Sequence, residues 1–138
     1  MNIEPNSVVI IDDQFEEAIC DPEVARAFKV HRRHMQFSLI LITQNLYEKG
    51  RWAKTIRNNT EILVIFKNFG DALSNSRLTS QLELKNRYKE CMKDANKTSY
   101  PYCVINTTAK INDDLRVQFN IFNEHQDKFL FPICYTDN

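Results

Sequence analysis

The chain has 138 residues, a formal net charge of zero, and apolar and charged fractions of 43% and 26%. That length suits one domain with a real core, and the balanced charge excludes a global pull toward nucleic acid or membrane, so any basic patch must be local. No apolar run approaches about 18 residues, so no transmembrane helix is expected, and Met1-Asn2-Ile3-Glu4-Pro5 has no signal-peptide pattern.

Val8-Val9-Ile10-Ile11 is an uninterrupted β-branched run, the pattern of a parallel strand buried on both faces. It closes on Asp12 and Asp13. A loop or short helical turn, Gln14 to Cys20, follows. Asp21-Pro22-Glu23 signals a helix start, with Asp as N-cap and Pro in the first turn. The helix is predicted to run to about His34, with Val24, Phe28, His31 and Met35 as its buried stripe. Arg26, Lys29 and Arg33 share the opposite face. The second strand is Phe37 to Thr43, ending in Gln44-Asn45. A polar connection from Glu48 to Thr60 holds Gly50, Arg51, Lys54 and Arg57. Ile62 to Phe66 is the third strand, closed by Lys67-Asn68.

The segment from Asp71 to Asn96 reads as helical, with a break near Leu82. Leu84, Tyr88, Cys91, Met92 and Ala95 form an apolar stripe in its second half. Strands are expected at Tyr102 to Thr107 and Leu115 to Phe122, with a turn at Asn112-Asp113 and one wetter face on the last strand. The tail, residues 123–138, is left unplaced; Phe129, Leu130, Phe131 and Ile133 suit it to covering a sheet edge. The expectation is a single α/β domain over residues 1–138, with a parallel sheet covered by helices and an antiparallel C-terminal extension.

Four cysteines, Cys20, Cys91, Cys103 and Cys134, fit no zinc spacing, and reduced thiols in an intracellular protein are the default. Two acids at the C-terminal end of a buried strand sit where open α/β sheets bind ligands. In a Walker B strand the first acid, here Asp12, helps hold magnesium, and the second, Asp13, orients or activates water. The alternative is that strands simply end at the surface. Gln44 could hydrogen-bond an attacking water and a γ-phosphate; the alternative is a strand-capping amide. Arg51, Lys54 and Arg57 are candidates for an arginine finger, with Arg51 or Arg57 preferred because lysine lacks the planar fork. A solvated basic loop is the alternative. Arg26, Lys29 and Arg33 read as a solvated helix face rather than a DNA contact. His31 and His34 lack an evident third metal ligand, so packing or capping is expected of them. Trp52 is a candidate interface anchor. Only two glycines are present, Gly50 and Gly70, and no G-x-x-x-x-G-K-[ST] phosphate loop exists.

His34-Met35, Thr43-Gln44-Asn45-Leu46, Gly50-Arg51, Asn59 and Phe66-Lys67-Asn68 occur in an order that resembles the genome-packaging ATPases of large DNA viruses and Maverick/Polinton-type transposons, of the FtsK–HerA group of P-loop motors. Asp71, Gln81, Tyr100 to Thr107 and Leu115 to Phe122 extend the resemblance, which covers roughly Ser7 to Phe122. The family's first histidine is Arg33 here, its arginine after the Gly-Lys loop is Lys54, and its Pro-Arg-Asp is Phe69-Gly70-Asp71. The resemblance implies a partial P-loop NTPase (RecA-like) sheet that lacks the phosphate-loop strand, which in such motors lies between the strands ending at Thr43 and Phe66. It implies ATP and magnesium as cofactors of the complete enzyme, with Asp12 at the metal and Asp13, Gln44 and Arg51 or Arg57 in catalysis. It also implies double-stranded DNA as partner, a homo-oligomeric ring, no membrane, and a place in the host cytoplasm or nucleus or in the virion. The expected function is the C-terminal part of a DNA-packaging motor, inactive alone. The alternatives are a non-catalytic module that docks onto an active subunit and a gene fragment without function.

Overall fold

The computed structural model describes residues 3–31, 34, 36–45, 47–122 and 131–137, with only the backbone of residues 31 and 69. The chain forms two compact units, Met1–Thr60 and Glu61–Asn138.

The first unit is built on strands β1 (Val8–Ile11) and β2 (Ser38–Leu41), paired in parallel with Val8 opposite Ser38 and Ile11 opposite Leu41. Parallel strands need a crossover connection. Here it contains a one-turn helix α1 (Phe15–Ala18) and helix α2 (Pro22–Arg26), which continues as a π-helical turn through His31. The Asp21 side chain accepts a hydrogen bond from the Glu23 N–H at 2.7 Å, as the Asp-Pro-Glu signal predicts. Val24, Ala25 and Phe28 are buried with Ala18 and Ile19, and Leu39, Leu41 and Ile11 pack against them. Arg33, Met35 and Leu46 lie outside the described residues, as does the His31 side chain. Arg26 and Lys29 are exposed, Arg26 bridging Glu23 at 3.1 Å, and His34 is exposed rather than packed.

The Glu48–Thr60 connection is not all loop: it contains helix α3 (Ala53–Asn59). Ala53 and Ile56 anchor it in the core, and two apolar residues are too few for a periodicity to be read from sequence. Trp52 is half-buried against the same core rather than standing free. The Trp52 N–H donates to the Ile19 carbonyl at 2.8 Å, which brings Gly50 onto Ile19.

The second unit contains an antiparallel sheet of β3 (Ile62–Phe66), β4 (Tyr102–Asn106), β5 (Val117–Phe119) and β6 (Ile133–Cys134), in that order. Helices α4 (Ala72–Gln81) and α5 (Lys85–Ala95) come between β3 and β4, and the chain breaks between them at Leu82–Leu84 as expected. Leu84, Cys91 and Ala95 of the predicted stripe are buried against Cys103, Ile105, Val117 and Phe119. The last long strand is shorter than its alternation suggests, because Asp113–Leu115 forms a 3-10 turn. Gln118 keeps the wetter side. The tail does cover an edge: β6 pairs with β5, while residues 123–130, including Phe129 and Leu130, lie outside the described residues. All four cysteines are free thiols.

Two expectations are corrected. The third apolar strand does not extend the parallel sheet; it pairs antiparallel with β4, Val64 opposite Val104. An uninterrupted apolar run encodes burial, not strand direction. The strands are also not covered on both faces. Leu39, Leu41, Leu63 and Ile65 face cores, but Val8, Ile10, Ile40 and Ile42 in one unit and Ile62, Val64 and Phe66 in the other are about half exposed, from 46% to 63%. Among the described residues β2 pairs only with β1, and β3 only with β4, so each has an unpaired edge.

Arg87 ties the second unit together. It is buried on α5, and its guanidinium donates to Asp137, to the Asp113 carboxylate and to the Asp113 carbonyl. Arg87 and Arg116 hold the Asp113 carboxyl below the usual carboxylate range. Three outcomes follow from this architecture. A Cβ at Gly50 would collide with the side chain of the fully buried Ile19, so Gly50→Ala should cost about 1–3 kcal/mol in urea unfolding. Asp113 has a depressed folded-state pKa, so its contribution is present at neutral pH and fades as pH falls below about 4. Thermal melts should therefore show a smaller loss between pH 7 and pH 3 in Asp113→Asn, which starts less stable at pH 7. Open apolar edges and faces recruit other chains, so light scattering after size exclusion should find the polypeptide self-associated, with Ile40→Lys and Val64→Lys shifting it toward monomer.

Candidate functional site

The in-register pairing of β1 and β2 brings their C-terminal ends together. The Ile42 N–H donates to the Ile11 carbonyl at 2.9 Å, so the residues after Ile11 and after Ile42 leave the sheet side by side. They line an open cleft of about 410 Å³. Asp12, Asp13, Thr43 and Gln44 are therefore one neighbourhood, as a strand-end ligand site requires.

Asp12 and Asp13 are both exposed. Asp13 has φ 56°, the left-handed region. That conformation costs a residue with a Cβ roughly 1–2 kcal/mol, and Asp is among the few that tolerate it. Past β2 the chain is held by local hydrogen bonds. The Thr43 hydroxyl accepts from the Asn45 N–H at 3.0 Å and donates to the Asn45 carbonyl at 3.1 Å. The Asn45 side chain accepts from the Tyr47 N–H at 3.0 Å and donates to Glu48 at 2.8 Å. Thr43 and Asn45 thus do the capping, and the Gln44 amide makes no hydrogen bond among the described residues.

The sequence reading missed how acidic the cleft is. Glu16 and Glu17 from α1 and Glu48 from the loop join Asp12 and Asp13, and among the described residues no cation lines it. Each acid alone looks like an ordinary surface residue. The only local signal is Glu16-Glu17 following so soon after Asp12-Asp13.

Arg51 and Arg57 do not line the cleft. Arg51 is exposed, with its guanidinium carbon 5.3 Å from the centroid of the Trp52 ring. Arg57 is half-buried, 4.7 Å from the centroid of Tyr47. Lys54 is exposed on α3, where Asn59 donates to the Thr55 carbonyl at 2.8 Å. Phe66, Lys67 and Asn68 belong to the second unit. There the Asn68 side chain caps a 3-10 turn, accepting from the Gly70 N–H at 3.0 Å and donating to Asp71 at 2.8 Å. Among the described residues no three His, Cys, Asp or Glu side chains form a metal-binding cluster, and no helix is long and apolar enough to cross a membrane.

No protein-family model, no curated protein and no solved structure matches this chain.

Proposed function

We propose that this chain is the C-terminal part of a DNA-packaging motor ATPase, a partial P-loop fold that does not hydrolyse ATP alone. One observation carries the reading. β1 and β2 pair in parallel and in register, which gathers Asp12, Asp13 and Gln44 at one strand-end cleft, while among the described residues the other edge of β2 stays open. An open edge at β2 is what the absence of the phosphate-loop strand would leave. The half-exposed Ile40 and Ile42 support the same reading, since a further parallel strand would bring a helix to cover them.

Magnesium suits the donors present. It takes carboxylate oxygens and keeps waters, binding through one or two carboxylates plus phosphate oxygens rather than a protein cage. Asp12 would hold it, and Asp13 and Gln44 would orient water beside it. The phosphates of ATP do not suit this cleft alone. Among the described residues its charged lining is all carboxylate, with neither a lysine nor a cradle of glycine-loop amides to offset phosphate charge. No step on the nucleotide is therefore assigned to this chain by itself. Arg51 and Arg57, which lie off the cleft, would serve as fingers toward a neighbouring subunit.

The pure chain with magnesium and ATP should show no turnover. Turnover that vanishes in Asp12→Ala would overturn the inactive-alone reading. With a polypeptide carrying the G-x-x-x-x-G-K-[ST] half supplied, magnesium-dependent turnover should appear. In that assembly Asp13→Asn should lower turnover by about a hundredfold or more while leaving nucleotide binding intact. Association with that half without any turnover would favour the non-catalytic docking module instead.

A further inference from the structure

The segment from Lys49 to Thr60 contains Lys49, Arg51, Lys54 and Arg57 and no acid, in a chain whose total charge is zero. Glu48 and Glu61 bracket it. Lys49, Arg51 and Lys54 are exposed, and none of them makes an ion pair among the described residues. The backbone that carries them is fixed: Gly50 lies against Ile19, Trp52 N–H donates to Ile19, and Ala53 and Ile56 are buried. Two of the cations are oriented as well. Arg51 lies over Trp52 and Arg57 over Tyr47. Stacking on a ring leaves a guanidinium its charge and its in-plane N–H donors, and it reduces the freedom lost when those donors meet a phosphate.

We infer that this segment is a docking site for the phosphate backbone of nucleic acid. Its aromatic rings already carry its own arginines, so bases are not expected to stack there, and recognition is of phosphates without regard to sequence. An anionic membrane is a poorer fit. Lipid binding through a short helix needs an apolar face to insert, and the apolar residues here, Ala53, Ile56 and Trp52, pack against the core. The exposed face of α5 is a weaker candidate despite Lys85, Lys89, Lys93 and Lys97. Glu90 and Asp94 lie among them, at 3.8 Å from Lys93 and 2.6 Å from Lys97. The inference rests on the proposed function for its partner, the DNA of a packaging motor, and is the alternative to a finger role for Arg51 and Arg57; its test requires neither the cleft nor ATP.

The test uses the full chain, without nucleotide, and a fluorescently labelled mixed-sequence DNA duplex. Trp52 is the sole tryptophan, so its emission reports on this segment directly. Binding measured by anisotropy should change Trp52 emission. With about three phosphates neutralised it should weaken roughly 40-fold between 50 and 200 mM salt. The corresponding single strand, with its lower charge density, should bind less tightly. The double variant Lys49→Glu and Lys54→Glu should lose at least about tenfold in affinity at 50 mM salt, whereas Lys85→Glu and Lys89→Glu, with the same charge change, should keep most of it. Unchanged thermal melts would show that both variants fold. No duplex binding at 50 mM salt, equal losses in the two variants, or unchanged Trp52 emission would each overturn the assignment. Binding to phosphatidylserine vesicles but not to the duplex would do the same. ATPase results bear on none of these outcomes.

Discussion

Two parallel strands can lie side by side only if the chain returns across the sheet between them. That requirement organises the first unit. The return from Ile11 to Ser38 passes through α1 and α2, and α2 brings Val24, Ala25 and Phe28 onto one face of the sheet. The register then sets both carboxyl ends together, so acids from one end of the sequence meet the Thr43–Gln44 turn from another. The same requirement explains what is left uncovered. A strand added in parallel at β2 would need its own return and would bring a helix with it. Among the described residues, the open edge of β2 and the open face at Val8, Ile10, Ile40 and Ile42 therefore both follow from a sheet of two strands with one helical return.

Signals written in neighbouring residues were legible in the sequence. Asp21-Pro22 starts a helix, the chain breaks near Leu82, and α5 buries its predicted stripe, because caps, breakers and periodicity act within a few residues. The parallel pairing of the first two strands was legible too. The direction of β3 was not, because strand direction depends on which edge is available and not on the apolar run itself. Helix α3 escaped because Ala53 and Ile56 are its whole buried contribution. The open faces ran against the sequence pattern, since Val8 to Ile11 and Ile62 to Phe66 carry apolar residues on surfaces that the described residues leave open. At the site, Asp12, Asp13 and Gln44 could be named from the strand ends. Glu16, Glu17 and Glu48 could not, because only the fold brings them to the same cleft.

The sign of the charge reverses between Glu48 and Lys49. Glu48 lines the cleft, while Lys49, Arg51 and Lys54 do not, and the reversal is held by two local contacts: Asn45 donating to Glu48, and Gly50 lying on Ile19. Acids and bases balance over Met1–Thr60 as they do over the whole chain, so the zero total hides two opposite local fields. Composition excludes bulk attraction to a polyanion; it says nothing against a short basic segment whose acids have all been sorted to one side.

The two units differ in what they leave unsatisfied. In the second, Arg87 on α5 reaches both the turn before β5 and the tail after β6, and Tyr135 O–H donates to Asp94 at 3.0 Å, so helix, sheet and tail hold one another. The first unit gathers five carboxylates around one cleft, one of them on a left-handed residue, and among the described residues no cation lines it. Left-handed backbone does not separate the units, since Glu83 and Asn120 of the second share it with Asp13. The second unit thus closes its polar groups on one another, whereas the strand ends of the first leave Asp12, Asp13 and a Gln44 amide without a hydrogen bond among the described residues facing one cleft.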